Sequence, residues 1–394
     1  MRRWILSGLL AVSCTQMPLF PGPPRSRTEV GGHRPAEGWA DGNEQAESHI
    51  YLTALVYPPG YDWQRDTAQP KAVPELLLLR DGEAWMRTTL LDGSVHRFQA
   101  GALWEIGLAG GETVLRRDGE LYARWAGEEA LRGFLVEEDG VYTLGQRIGG
   151  PGVRLRRDGE LLFSDDKGVV LGSMDESGWK GGALARDGDG LYYGYSIRLG
   201  ETQREFRFMD RDACVSLLPA GSWREIFDAR HFGGVLYRTE VTPEGRLCLV
   251  AGEQRITFPI NQVPRLAKLL PWKDGVLVFG YDGTTAWTRA ESTFIRHYAQ
   301  NRVFQDCYTD GDKYAFIQTD ASGRVESFYY AHSPDEEVFL GGDYRLMAPV
   351  AGCMEKGHLA VGLTNLDGEE HLLCLDELAV PLYFNGYITS VSIE

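Results

Sequence analysis

Leu76-Leu77-Leu78-Leu79-Arg80-Asp81-Gly82-Glu83 is the stretch on which the fold turns. An apolar run meets Asp-Gly, and a second β-rich run opens with Glu. Asp-Gly between two such runs marks a tight hairpin, because a type I′ turn needs positive φ at both central residues. The unit returns as Thr113-Val114-Leu115-Arg116-Arg117-Asp118-Gly119-Glu120 and as Val153-Arg154-Leu155-Arg156-Arg157-Asp158-Gly159-Glu160, with the aspartates 37 and 40 residues apart.

A second hairpin precedes each of these. Leu135-Val136-Glu137-Glu138-Asp139-Gly140-Val141-Tyr142 and Leu270-Pro271-Trp272-Lys273-Asp274-Gly275-Val276-Leu277 are examples, and Asp187-Gly188-Asp189-Gly190 and Asp310-Gly311-Asp312 are further copies. One unit is therefore four strands joined by tight turn, loop and tight turn. The second strands are expected to begin near Ile50, Ala102, Val141, Leu191, Val235, Val276, Tyr314 and His358, 38 to 52 residues apart. A unit of that length, repeated, is a propeller blade. No stretch sustains a 3.6-residue apolar period, so helices should be nearly absent.

The expected fold class is all-β: a β-propeller of about eight four-stranded blades, with seven as the alternative count. A β-sandwich array or a two-domain chain is the competing architecture. Ile50 opens on a second strand with no first strand before it, and Asn385–Glu394 is a strand with no partner after it. Pairing the two would close the ring and remove two exposed edges.

The N-terminus reads as an address. Arg2 and Arg3 precede the apolar Trp4–Val12, which is too short to span a bilayer, and then comes Leu10-Ala11-Val12-Ser13-Cys14. This resembles a bacterial lipoprotein signal, which implies lipidation of Cys14. Ala11 stands where a large aliphatic residue is usual, and Ala11-x-Ser13 also suits ordinary signal cleavage. The expected organisation is a signal peptide over 1–13, a lipidated flexible tether over 14–48 and the propeller over 49–394. Residues 15–48 carry Phe20-Pro21-Gly22-Pro23-Pro24 and no hydrophobic period.

The repeated unit resembles that of the uncharacterised propeller lipoproteins of gut Bacteroidetes over roughly residues 50 to 394. The resemblance implies the fold and an envelope location, and it brings no established activity. Thr15-Gln16-Met17 lacks an acidic cluster after Cys14, which favours the periplasmic side over the outer surface.

Net charge is −16, and −18 without Arg2 and Arg3. No run of basic residues interrupts this field, which repels a phosphate backbone and argues against nucleic acid. The expected membrane association is through the lipid anchor alone, and the expected state is a monomer. Beyond Cys14, five cysteines (214, 248, 307, 353, 374) have neither CxxC nor ligand-like spacing to histidine. They read as small buried hydrophobes, with one disulfide as the alternative. The eight histidines are scattered, HExxH and a phosphate-binding glycine loop are absent, and neither metal nor cofactor is expected. Tyr281-Asp282-Gly283-Thr284-Thr285-Ala286-Trp287 comes close to a sialidase-type Asp box, but its glycine is one position early.

In a four-stranded meander the tight turns share one end of each sheet and the longer loops share the other. Long loops on a rigid scaffold are where binding sits. The longest is expected over Tyr57–Pro74, with Tyr61, Trp63 and Arg65; the connections between blades add Trp125, Trp179 and Trp223. Exposed aromatics beside carboxylates and arginine suit a glycan or protein ligand, whereas packing between blades is the structural alternative. The functional expectation is an envelope-tethered binding or scaffold propeller rather than an enzyme. The alternative, a glycosidase or lyase acting on polysaccharide, requires two converging carboxylates about 5 to 10 Å apart.

Overall fold

The computed structural model describes residues 48–394 except 64–71, 172–182, 202, 219–225, 242–245, 258–266, 281–282, 288–293, 298–301, 321–323, 332–337, 340–343, 346–350, 365–368 and 377. The described residues are β-strand and turn, without a helix. Their strands form eight antiparallel sheets in chain order.

The first sheet takes β1 (Ile50–Val56), β2 (Glu75–Arg80) and β3 (Glu83–Thr89). The second is β4 (Asp92–Gln99), β5 (Ala102–Ala109), β6 (Glu112–Arg117) and β7 (Glu120–Ala126). The third is β8 (Glu129–Glu137), β9 (Gly140–Arg147), β10 (Val153–Arg157) and β11 (Glu160–Asp165). Five strands make the fourth: β12 (Gly168–Val170), β13 (Leu184–Asp187), β14 (Gly190–Arg198), β15 (Arg204–Asp210) and β16 (Ala213–Leu218). The fifth is β17 (Ile226–Phe232), β18 (Val235–Val241), β19 (Leu247–Ala251) and β20 (Gln254–Thr257). The sixth is β21 (Ala267–Trp272), β22 (Gly275–Gly280), β23 (Gly283–Trp287) and β24 (Phe294–His297). The seventh is β25 (Arg302–Thr309), β26 (Tyr314–Asp320), β27 (Arg324–Ala331), β28 (Val338–Phe339) and β29 (Tyr344–Arg345). The eighth is β30 (Ala351–Glu355), β31 (His358–Thr364), β32 (Glu370–Leu375) and β33 (Leu378–Tyr383).

The last strand, β34 (Gly386–Ile393), joins the first sheet, whose order is β3-β2-β1-β34. Its register runs from Ile50 opposite Ile393 to Val56 opposite Gly386. The backbones of His49 and Glu394 extend it with hydrogen bonds of 2.7 and 3.0 Å. The second strands β1, β5, β9, β14, β18, β22, β26 and β31 begin at the eight expected residues or one before them. Repeated antiparallel meanders of this kind are β-propeller architecture.

The strands β4, β34, β30, β25, β21 and β17 touch one another in succession, and β13 touches both β17 and β8. These are the innermost strands. The opposite edges β3, β7, β11, β16 and β20 are mostly exposed. The core is accordingly divided into layers between sheets: Tyr51, Leu76 and Leu78 meet Phe98 and Leu103. Trp104 and Leu115 meet Leu131 and Phe134 in the next layer. Leu52 and Leu79 of the first sheet pack on Ala360 and Leu373 of the eighth.

Local chemistry explains the repeat. Asp81, Asp118 and Asp158 have φ near 52°, each followed by a glycine at positive φ, as a type I′ turn demands. The aspartate is selected for a second reason. Asp118 Oδ1 accepts the Leu103 N–H, Asp158 Oδ1 the Val141 N–H and Asp376 Oδ1 the Leu359 N–H, all at 2.9 Å. The turn thereby clamps the start of the second strand. Gly362 on β31 has a packing reason, since a Cβ there would lie 2.8 Å from Ile388 Cγ2 on β34.

One feature departs from the simple meander. The innermost strand of the fourth sheet is in two pieces, β12 and β13, which pair with opposite halves of β14. Among the described residues Cys214, Cys248, Cys307, Cys353 and Cys374 form no disulfide with one another. Burial pushes the Cys353 and Cys374 thiols up to about 12.

Candidate functional site

The tight-turn end of the sheets is occupied by structural hydrogen bonds. His49 Nδ1 donates to Asp81 Oδ2 at 2.7 Å, and His358 Nδ1 to Asp376 Oδ2 at 2.8 Å. Both carboxylates also hold a strand N–H. Between the fourth and fifth sheets, His231 Nδ1 donates to Asp187 Oδ2 at 2.7 Å, and its ring stacks on Tyr192 with centroids 3.7 Å apart. Asp187 also accepts the Gly234 N–H at 2.8 Å. Its carboxyl is held below the usual range: burial opposes ionisation, but these hydrogen bonds and the His231 charge outweigh it. Such His–Asp pairs join blades and strands, and each aspartate is engaged with backbone.

The buried acids are similarly engaged. Glu105 accepts the Leu91 N–H at 2.7 Å and pairs with Arg116. Glu129 pairs with Arg156 at 2.8 Å, and Glu240 with Arg238 and Arg255. Asp228 accepts the Leu269 N–H of the next sheet at 3.0 Å. Glu105 and Glu129 lie in different sheets, Asp228 and Glu240 on neighbouring strands of the fifth, and each is paired with a local cation, which is how a buried carboxylate is tolerated. Among the described residues no three of His, Cys, Asp or Glu are grouped to hold a metal ion.

The loop end differs. The chain leaves β1 at Tyr57, whose N–H donates to Asn385 O at 2.8 Å, and turns at Pro58–Tyr61. The Asn385 amide donates to both Pro58 O and Tyr61 O, at 2.9 and 2.8 Å. This pinned loop gathers aromatic rings. Tyr57 lies nearly parallel to Trp63, 6° between planes and 5.8 Å between centroids. It also stacks on Tyr61 at 5.5 Å, and Trp63 meets Tyr387 of β34 at 5.1 Å. Tyr57, Tyr61, Trp63 and Tyr387 are all half-buried, and Asp62 beside them is exposed. Burial raises the Tyr57 phenol, and burial with the neighbouring Tyr57 pushes Tyr387 up to about 12, so both stay neutral hydroxyls. The four rings form the candidate site.

No family model matches the sequence, and no curated protein matches it significantly. Similar solved structures exist. BamB from Moraxella catarrhalis is 11% identical over 75% of this chain and 92% of its own, with a TM-score of 0.46. The computationally designed Ika8 protein is 11% identical over 75% and 88%, with a TM-score of 0.48. The Dos1 propeller is 11% identical over 81% and 87%, with a TM-score of 0.44. At that level of similarity no property passes from them to this chain, and the fold rests on its own strand pairings.

Of the expected ligand-contacting residues, Tyr61 and Trp63 come together as described. Arg65, Trp179, Trp223 and the lipidation candidate Cys14 lie outside the described residues. Trp125 is in β7, not in a connection, and only 8% exposed. It packs with Leu131 and Phe134 under the Arg156 guanidinium, 5.1 Å from its ring, and has no place in a ligand site. Tyr387 and Asn385 were missed as site residues. The signal was present: a closing strand opposite β1 sets Tyr387 against Leu55, two residues before the loop.

Proposed function

We propose that this chain is an eight-bladed propeller, closed between β1 and β34, that binds a glycan through the loop-end rings Tyr57, Tyr61, Trp63 and Tyr387. It is held at a bacterial cell envelope, on the periplasmic side, by a lipid on Cys14. The observation that carries the reading is the near-parallel Tyr61–Tyr57–Trp63 stack, edged by Tyr387 and pinned by Asn385. A preorganised set of flat rings gives a large contact area at small entropic cost, and the apolar face of a pyranose stacks on such rings. Eight sheets and the β1–β34 pairing support the blade count and the closure. The acidic charge of −16 supports a neutral chain over an anionic one.

The test is a glycan array followed by calorimetric titration of the full chain with the best hit. Trp63→Ala and Tyr61→Ala should each weaken binding at least tenfold with an unchanged melting temperature. A wild-type chain that binds no glycan, or variants that bind equally well, would refute the reading. Mass spectrometry of the membrane-extracted protein tests the acylated Cys14 separately.

A further inference from the structure

The outermost strands carry a repeated irregularity. In the first sheet Leu78 faces Met86 while Leu79 faces Ala84, so Trp85 is an extra, bulged residue. The same shift makes Tyr122 the extra residue of β7, Leu162 of β11 and Val215 of β16. All four are the third residue of their strand, just after the tight turn. A bulge re-aims a side chain and protects an open edge from pairing. Here it presents a large apolar group each time: Trp85 is 52% exposed, Tyr122 40%, Leu162 43% and Val215 51%. The residues before two of them, Leu121 and Leu161, are also exposed.

These groups lie on adjacent sheets. Tyr122 Oη donates to Asp158 Oδ1 in the turn of the next sheet at 2.7 Å, and a Cβ on Gly119 would lie 3.1 Å from Thr88 Oγ1 on β3. The result is an apolar rim along the tight-turn end of the first three sheets, with Val215 at the corresponding position on the fourth. The chain enters the described structure at that same end. His49 precedes β1, its ring lies 6.4 Å from Tyr51, and Tyr51 lies 5.4 Å from Trp85. The 33 residues between Cys14 and Ser48 span at most about 115 Å.

We propose that this rim, led by Trp85, Leu121, Tyr122 and Leu161, rests on the lipid–water interface of the membrane that holds the chain. The proposal rests on the envelope reading above. Trp and Tyr with aliphatic neighbours are the side chains that settle at such an interface, where rings bury their apolar part and keep their polar edge wet. Glu83, Glu120 and Glu160 stand exposed at the starts of these strands, which makes a zwitterionic surface the matching one. Rim contact would turn the opposite, loop-bearing end with its aromatic cluster away from the bilayer.

The test uses the full chain with Cys14→Ser, which has no acyl group, and phosphatidylcholine vesicles. It should co-sediment with vesicles at millimolar lipid, and brominated acyl chains should quench part of its tryptophan emission. Adding Trp85→Ser, Leu121→Ser and Leu161→Ser should lower the partition coefficient at least fivefold while the melting temperature stays the same. Absence of partition, or equal partition of the rim variant, overturns the proposal and leaves the rim to a protein partner. Because the acyl group is absent throughout, failure here is distinct from failure of Cys14 acylation.

Discussion

Acid should loosen this protein through one buried imidazole. His96 lies on β4, 8% exposed, and shares a hydrogen bond between its Nε2 and the Thr389 hydroxyl of β34. Thr389 is the extra residue of a bulge in the closing strand, since Thr53 faces Ser390 and Ala54 faces Ile388. The other ring nitrogen, Nδ1, is buried without a hydrogen-bond partner. Burial therefore lowers the imidazole from 6.5 to about 4. The unfolded chain takes up this proton as pH falls below about 6.5, while the folded chain resists until about 4. The stabilising contribution is thus complete above 6.5 and disappears as pH falls to 4. At about 1.4 kcal/mol per pH unit, the loss is roughly 3 kcal/mol. Urea unfolding of wild type and His96→Gln, measured from pH 7.5 to 4, isolates it from the carboxylates, which both proteins share. The wild type should lose roughly 3 kcal/mol more than the variant across that interval. Parallel stability curves would refute the reasoning.

Three further outcomes follow from the packing. Gly362→Ala should cost about 1–3 kcal/mol in urea unfolding, because the added methyl meets Ile388 at 2.8 Å in the joint between the eighth sheet and β34. Asp118→Ala should cost about 1–2 kcal/mol by stranding the Leu103 N–H, and Asp118→Asn should recover part of this because Asn tolerates positive φ. Trp125→Ala should cost about 3–5 kcal/mol by emptying a core position, yet leave the affinity of the folded protein for any loop-end ligand unchanged.

The repeat was legible because its signal is local. Apolar alternation and Asp-Gly pairs depend on a few neighbouring residues, so the second strands fell where the sequence put them. The open first strand and the unpartnered Asn385–Glu394 also indicated their own pairing. Other features left less trace. In the fourth sheet the outer tight turn has no glycine, and Arg211 takes positive φ instead. A bulge shifts register by one residue without changing composition, so the exposed row from Trp85 to Val215 is invisible without coordinates. Trp125 was misread because a tryptophan near a turn looks alike in sequence whether its strand continues or ends. The site itself was half legible: Tyr61 and Trp63 stand out on the longest loop. Their partner Tyr387 arrives from the other end of the chain, and only the pairing of β34 with β1 brings it there.

The β1–β34 pairing is measured most directly by trapping it. Ile50 and Ile393 face each other between two backbone-bonded pairs, a position where Cα atoms of antiparallel strands lie about 4.5 Å apart, within disulfide reach. In the Ile50→Cys/Ile393→Cys chain, oxidation should give a peptide pair linking residues 50 and 393 by mass spectrometry, in near-full yield and with a raised melting temperature. Free thiols at both positions in the folded, oxidised protein would contradict the account.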